Sequence, residues 1–266
     1  MEIPLFPLHT VLCPGIVVPL HIFEERYRAL TKHCLQTGAP FGIVFIREGR
    51  EAGVGRTLAL AEVGALVEIR QAGRYPDGRY DLLAAATGRF SIDAVDQERA
   101  PYLVADVTPL DDDIGDERRA ERLAASAIRR FVRYLELMRT REGETGDALD
   151  IRVELDSVHA SGDEDDTGSS DPASELETET DEDSEASTEA AATSLTIPDD
   201  PTVLSYLLSG IVQVELPRRQ WLLEAATTVA RLEDLIALLD REVLLLSRRL
   251  RLFSPGARPA DGSRRS

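Results

Sequence analysis

The chain has 266 residues, 43% of them apolar, with 48 acidic against 30 basic residues and a formal net charge of −18. That length holds one large domain or two small ones with an ordinary core, and no run reaches the roughly eighteen uncharged apolar residues that a membrane span needs. The charge is uneven: fifteen acids fall between Glu154 and Glu189, where no Lys or Arg occurs, leaving 33 acids against 30 bases elsewhere.

The first stretch, MEIPLFPLHTVLCPGIVVPLHIFEERY, spends four prolines, Pro4, Pro7, Pro14 and Pro19, between short apolar runs. Glu2 stands where a secretory signal needs positive charge, and the prolines interrupt its apolar centre, so the stretch is read as part of the fold. Ile16-Val17-Val18, bounded by Gly15 and Pro19, reads as a strand. Phe23, Tyr27 and Leu30 then lie at i, i+4 and i+7, which predicts one apolar helix face, with Gly38 and Pro40 as its stop. Glu24 and Arg28 read as a solvated pair on that helix.

Further strands are expected at Phe41–Ile46 and Ala59–Arg70. Tyr75-Pro76-Asp77-Gly78 carries the residues of a tight turn and predicts a hairpin from Ala59–Arg70 into Arg79–Ala86. Two more strands follow, Gly88–Ile92 and Tyr102–Val107. Short strands at this spacing suggest a small barrel or sandwich rather than a βαβ sheet.

After Leu110 the pattern turns helical. Leu123, Ala127, Phe131, Leu135 and Met138 predict a helix over Asp116–Arg139. Asp200-Pro201 offers an N-cap with proline at N1 for another. From Leu222 to Phe253 apolar residues recur in alternating steps of three and four, a heptad seam. Leu235, Leu238 and Leu245 widen it, which favours a bundle, and Thr227-Thr228 is a candidate break. Between these helices, 154–195 is rich in Asp, Glu, Ser and Thr and is read as a disordered acidic insert. The domain reading is a barrel over 1–112, a first helix within 113–153, the insert at 154–195, a helical bundle over 196–253 and an Arg-rich tail at 254–266.

PLFPLHTVLCPGIVVPLHIFEERY, FGIV around Gly42, GRYDLLAAATGRF, DDPTVLSYLLSGI and RRQWLLEAATTVARLEDLIALLDRE together resemble the N-terminal substrate-binding domain of the Lon protease family. The resemblance covers nearly all of residues 3–110 and 116–250. It implies an α+β fold, a small PUA-like β-barrel followed by a C-terminal helical bundle. The matching positions are Pro4, Leu5, Phe6, Pro7, Pro14, Gly15, Pro19, Leu20, Phe23, Glu24, Arg26, Tyr27, Gly42, Gly88, Arg89 and Phe90, read mainly as structural. In that barrel the prolines would mark strand starts, edges and turns, and Phe6, Leu20, Phe23 and Phe90 would anchor the core. Arg26 and Arg89 would clamp carboxylates or backbone.

Lon joins this domain to an ATPase and a Ser–Lys protease. The chain has no GxxxxGK[ST] phosphate loop, and its one lysine is Lys32, so neither activity is expected here. His9, His21, His33, His159, Cys13 and Cys34 show no metal-ligand spacing, and two cysteines fit a reducing cytoplasm. No cofactor, metal or catalytic residue is expected, and no membrane.

The expected partner is polypeptide, an unfolded segment or a specific protein, held at the barrel face and the cleft between barrel and helices, with open sheet edges as one route. RNA on the same barrel is the alternative. The arginines at 118, 119, 122, 129, 130 and 133 and those at 248, 249, 251, 258, 264 and 265 speak for it. The near-neutral fold and scarce aromatics speak against it. Dimerisation through the final helix stays open.

Overall fold

The computed structural model describes residues 1–48, 59–142, 151–155 and 193–253. The barrel half contains β1 (Glu2–Leu8), β2 (Val17–Ile22), α1 (Glu25–Thr37), β3 (Phe41–Glu48), β4 (Ala59–Leu60), β5 (Val63–Arg74), β6 (Tyr80–Asp96) and β7 (Leu103–Leu110). The helical half contains α2 (Glu117–Glu142), β8 (Ile151–Leu155), β9 (Thr193–Ile197), α3 (Pro201–Ile211), α4 (Leu216–Glu224) and α5 (Thr228–Phe253). Five strands close on themselves: β1 lies against β7, β7 against β6, β6 against β5, β5 against β3, and β3 returns in parallel to β1. Closure removes the edges of the ring, while β2 adds to β6 and β4 to β3 outside it. The α+β barrel-and-bundle expectation is met.

The prolines do punctuate this sheet: Pro14 lies in a turn, as expected, while Pro4, Pro7 and Pro19 lie inside strands rather than at their starts. β1 changes neighbour at Leu5: Glu2–Leu5 pair with β7, and Leu5–Leu8 pair with β3. Pro4 and Pro7 therefore sit where the strand has one neighbour, and a missing N–H is tolerated there. Pro19 lies within β2 rather than ending it, on a strand paired only with β6. Pro14-Gly15 is the expected turn. Ile16 N–H donates to the Cys13 carbonyl at 3.2 Å, and Gly15 takes φ 83, which a side chain would disfavour.

The hairpin turn also forms as read: Gly78 N–H donates to the Tyr75 carbonyl at 3.0 Å. Beyond it, the two expected strands are one, β6, whose register with β5 shifts between Leu66 and Val67. Gly88 lies in that strand, and a Cβ there would meet open space.

Phe23 is a correction. Glu24 is the N-cap of α1 with extended backbone, so helical spacing does not reach Phe23, which is 62% exposed rather than a core anchor. The buried face of α1 is Tyr27, Leu30, Thr31 and Cys34, packed with Phe6, Phe41 and Leu82. Leu20 is half-buried against the same cluster. The Glu24–Arg28 pair is likewise replaced. Arg26 holds Glu24, with Nε at 3.0 Å, while Arg28 Nη1 donates to the Asp77 carbonyl at 3.2 Å.

The second barrel cluster joins Ile3, Leu5, Phe90 and Val107 to Tyr206 and Leu223 of the helical half. Phe90 is packed over two glycines. A Cβ on Gly42 would come within 2.6 Å of its Cζ, and one on Gly64 within 2.5 Å. The bundle core is built by Ala127, Phe131, Leu204, Leu208, Leu232, Leu235 and Leu239, mostly where α2 crosses α5.

The seam over Leu222–Phe253 is broken between α4 and α5, at the expected threonines. Thr227 Oγ1 accepts from Ala230 N–H at 3.1 Å as a cap, and Thr228 N–H donates to the Asp113 carbonyl at 2.8 Å. Asp200 caps α3 through Thr202 and Val203 N–H groups. β8 and β9 pair in parallel and take in both margins of the stretch read as an insert. Its residues 156–192, and the tail at 254–266, lie outside the described residues.

Candidate functional site

Two places bring functional side chains together: the junction of barrel and bundle, and the outer face of β2 and β6.

At the junction Arg89 of β6 is 4% exposed, and its Nη1 donates to the Leu223 and Ala225 carbonyls at 2.8 and 2.9 Å. Its Nη2 reaches Asp112 Oδ1 at 3.0 Å. Arg231 of α5 is fully buried. Its Nε donates to the Leu222 carbonyl at 3.0 Å, Nη1 to Ser205 Oγ at 3.1 Å and Nη2 to the Tyr206 hydroxyl at 2.8 Å. Its guanidinium lies 3.7 Å from the Tyr206 ring centroid, and the Tyr206 hydroxyl donates in turn to Asp112.

Two cations thus cap the open carbonyls at the end of α4, where both the unpaired C=O groups and the helix dipole favour positive charge. Burial lowers the Arg231 pKa, with Tyr206 and Asp112 acting the other way, and burial raises that of Tyr206. Alongside, a Cβ on Gly210 of α3 would lie 2.8 Å from Ile16 Cγ1. The expected binding cleft between barrel and helices is therefore filled, at this junction, by the protein's own side chains. Arg89 thus bonds two backbone carbonyls and one carboxylate. Arg231 was not singled out from the sequence, although an arginine in phase with buried Leu235 and Leu238 was a readable signal.

The outer face is different. Side chains alternate along β2: Val18, Leu20 and Ile22 turn inward, while Val17, Pro19 and His21 are exposed. Opposite them on β6 stand Ala85, Leu83 and Asp81. Ile16 C=O accepts from Ala86 N–H at 3.0 Å, so by alternation the backbone groups of Val17, Pro19 and His21 face away from β6. That side of β2 has no paired strand among the described residues. Pro19 removes one donor from it, a common way of blunting an edge.

Exposed Val17, Leu83, Phe23 and Tyr75 lie along this flap. At its tip His21 Nδ1 bonds Asp81 Oδ1 at 2.5 Å and Tyr75 Oη donates to Asp81 Oδ2 at 2.5 Å. The Tyr75 bond first, and then His21, hold the Asp81 carboxyl below its usual range. His21 also stacks on Phe23 with centroids 6.2 Å apart.

Of the residues matched by motif, Leu5, Phe6, Tyr27 and Phe90 are core, and Gly42 makes room for Phe90. Pro19 and Phe23 belong to the outer face. Cys13 and Cys34 are buried, and burial pushes both thiols up to about 11, so neither is an activated nucleophile. Among the described residues no group of three or more His, Cys, Asp and Glu side chains could hold a metal ion. No helix there is long and apolar enough to cross a membrane.

Comparison with known proteins agrees with this architecture. The chain is similar to the crystal structure of a Lon N-terminal domain protein from Xanthomonas campestris, at TM-score 0.52 and 21% identity over 89% of this chain and 98% of that one. It is also similar to the N-terminal domain of the Mycobacterium avium complex Lon protease, at TM-score 0.53 and 18% identity over 90% and 98%. In sequence it is 24% identical to the Lon protease of Escherichia coli K12 over 92% of this chain and 25% of that protein. With the Lon protease of Azorhizobium caulinodans it shares 29% identity over 50% and 16%. The chain thus spans about a quarter or less of the length of these proteases. The ATP-dependent protease La (LON) substrate-binding domain matches residues 2–241, and the chain belongs to that family.

Proposed function

We propose that the chain is a non-catalytic module that recognises polypeptide, acting as a cytoplasmic adaptor or regulator in protein quality control. The observation that carries this reading is the free side of β2, where outward backbone groups lie next to exposed Val17, Leu83 and Phe23. An extended peptide supplies what this edge lacks: a neighbouring strand for the carbonyls of Val17, Pro19 and His21, and apolar side chains at alternate positions. The single missing N–H at Pro19 disfavours tight, indiscriminate strand addition and suits weak, reversible capture. Family membership supports the substrate-recognition part of the proposal.

RNA is the second reading. Three arginines of the α2 cluster are held by carboxylates: Arg119 by Glu233, Arg130 by Asp240 at 2.8 Å and Arg133 by Glu136 at 2.9 Å. Those pairs leave fewer charges for phosphate, which favours polypeptide.

The test is fluorescence-anisotropy binding of the full chain to an unfolded-peptide pool and to single-stranded RNA across a salt series, with the variant Val17→Glu/Phe23→Glu. Peptide affinity is expected to survive moderate salt and to fall about tenfold or more in the variant, a loss of roughly 1.4 kcal/mol. Because both positions are exposed, urea unfolding is expected to shift by no more than about 0.5 kcal/mol. Equal peptide binding by both proteins, or salt-sensitive binding of RNA alone, overturns the reading.

A further inference from the structure

The sides of α2 differ in chemistry. Ala120, Ala124, Ala127, Phe131 and Tyr134 are buried. Beside them, Arg119 and Arg130 turn to α5 and meet Glu233 and Asp240 of that helix. Arg118, Arg122 and Arg129 are exposed, and their separations of four and seven residues place them on one outer side of the helix, over about 16 Å of its axis. Their side chains make no hydrogen bond or ion pair among the described residues. Arg133, the next along this stripe, is met by Glu136 at 2.9 Å. A lone unpartnered arginine is ordinary surface. Three on one helix face, beside arginines that carboxylates match, leave positive charge that suits a polyanion.

The chain carries such a polyanion itself. Residues 156–192 include fourteen Asp and Glu and no Lys or Arg. Both ends of this stretch are fixed to the helical half. It leaves β8 at Leu155 and returns at Thr193 of the parallel-paired β9, whose Ile197 packs in the same core cluster as Phe131 and Tyr134 of α2. Nineteen residues from either end span at most about 60 Å. Arg118 lies only about 24 Å along the helix from Tyr134. Joined to the bundle at both ends, the segment meets the stripe at an effective concentration on the order of millimolar. A separate acidic protein or an RNA has no such advantage.

We propose that the outer stripe of α2 is the docking surface of the chain's own acidic segment 156–192, whose carboxylates pair with Arg118, Arg122 and Arg129. Each exposed ion pair is weak, so the contact rests on several pairs and on the tether, and it is reversible and salt-sensitive. It takes up the charges that an RNA backbone would need. Peptide capture at β2 neither requires nor excludes it.

Energy transfer between dyes on Glu121→Cys, beside the stripe, and Ser174→Cys, within the segment, tests the proposal in the full chain. Cys13 and Cys34 are buried and their thiols are pushed up to about 11, so the dyes go to the introduced sites. Transfer is expected to fall by about half or more at ~1 M salt, which screens charges within about 3 Å. It is expected to fall as far in Arg118→Glu/Arg122→Glu/Arg129→Glu at low salt. The sign is decisive, because an undocked acidic segment repels itself, contracts when salt is added and gives more transfer. Far-UV circular dichroism should be unchanged, since all three arginines are exposed. Transfer that rises with salt, or that the triple reversal leaves as it was, overturns the proposal. Transfer that disappears on mixing with excess unlabelled chain also overturns it, by placing the segment on another copy. Salt-sensitive binding of labelled single-stranded RNA that the triple reversal abolishes, with transfer unaffected by that reversal, overturns it in favour of nucleic acid.

Discussion

Replacing Arg231 by alanine is expected to cost about 3–5 kcal/mol of folding stability, the range for stripping one partner from a buried charged network. The guanidinium is fully buried and bonds the Leu222 carbonyl, Ser205 and Tyr206, with its plane against the Tyr206 ring. Without it, the end of α4 loses the donor that closes Leu222, and the buried Ser205 and Tyr206 hydroxyls each lose a partner. Lysine keeps the charge but offers one point where the fork reaches three, so Arg231→Lys is expected to recover only part of the loss. Urea unfolding followed by tryptophan fluorescence and circular dichroism reads both, as a lower midpoint with an unchanged slope. A loss below about 1 kcal/mol for Arg231→Ala would mean that the Arg231 bonds do not hold the junction.

The second large effect sits in the barrel. Phe90→Ala is expected to cost about 3–5 kcal/mol, because the removed ring leaves a cavity that its surroundings fill only partly. Those surroundings include Gly42 and Gly64, which have no side chains to swing into the space. The reciprocal change is informative. Gly64→Ala places a Cβ 2.8 Å from the Ile43 carbonyl as well as on the Phe90 ring, so backbone has to move. Overpacking of that kind costs about 1–3 kcal/mol. In the combination Phe90→Leu/Gly64→Ala the new methyl takes up part of the vacated volume, and the loss is expected to be smaller than the sum of the two singles. Thermal and urea unfolding of the four proteins checks the cycle.

The barrel was readable because its signals are local. Pro14-Gly15 and Pro76-Asp77-Gly78 declare their turns, and apolar runs between them declare strands. Closure was not local: β1 contacts β3 in parallel and β7 in antiparallel fashion, and no periodicity announces a strand that changes partner at Leu5. That change also explains why Pro4 and Pro7 are accommodated within β1. Phe23 misled for a related reason. Its spacing to Tyr27 and Leu30 suits a helix, but the chain is still extended at Glu24, and the ring is left on the outer face. Arg89 was legible through the resemblance carried by GRYDLLAAATGRF, whereas its target, the end of α4, lies more than 130 residues away. Arg231 stands in phase with Leu235 and Leu238, which hinted at burial, but only tertiary packing shows the carbonyls that bring it in. The edge of β2 could not be read as free until β6 was seen on its other side.

Amide hydrogen exchange of the full chain, with and without an excess of the unfolded-peptide pool, tests the central claim most directly. Strand addition to β2 predicts that the outward N–H groups of Val17 and His21 slow on peptide binding, while those of Val18, Leu20 and Ile22, already turned to β6, change little. Slowing confined to the α4–α5 face, or no slowing anywhere along β2 despite saturated peptide binding, would contradict the account.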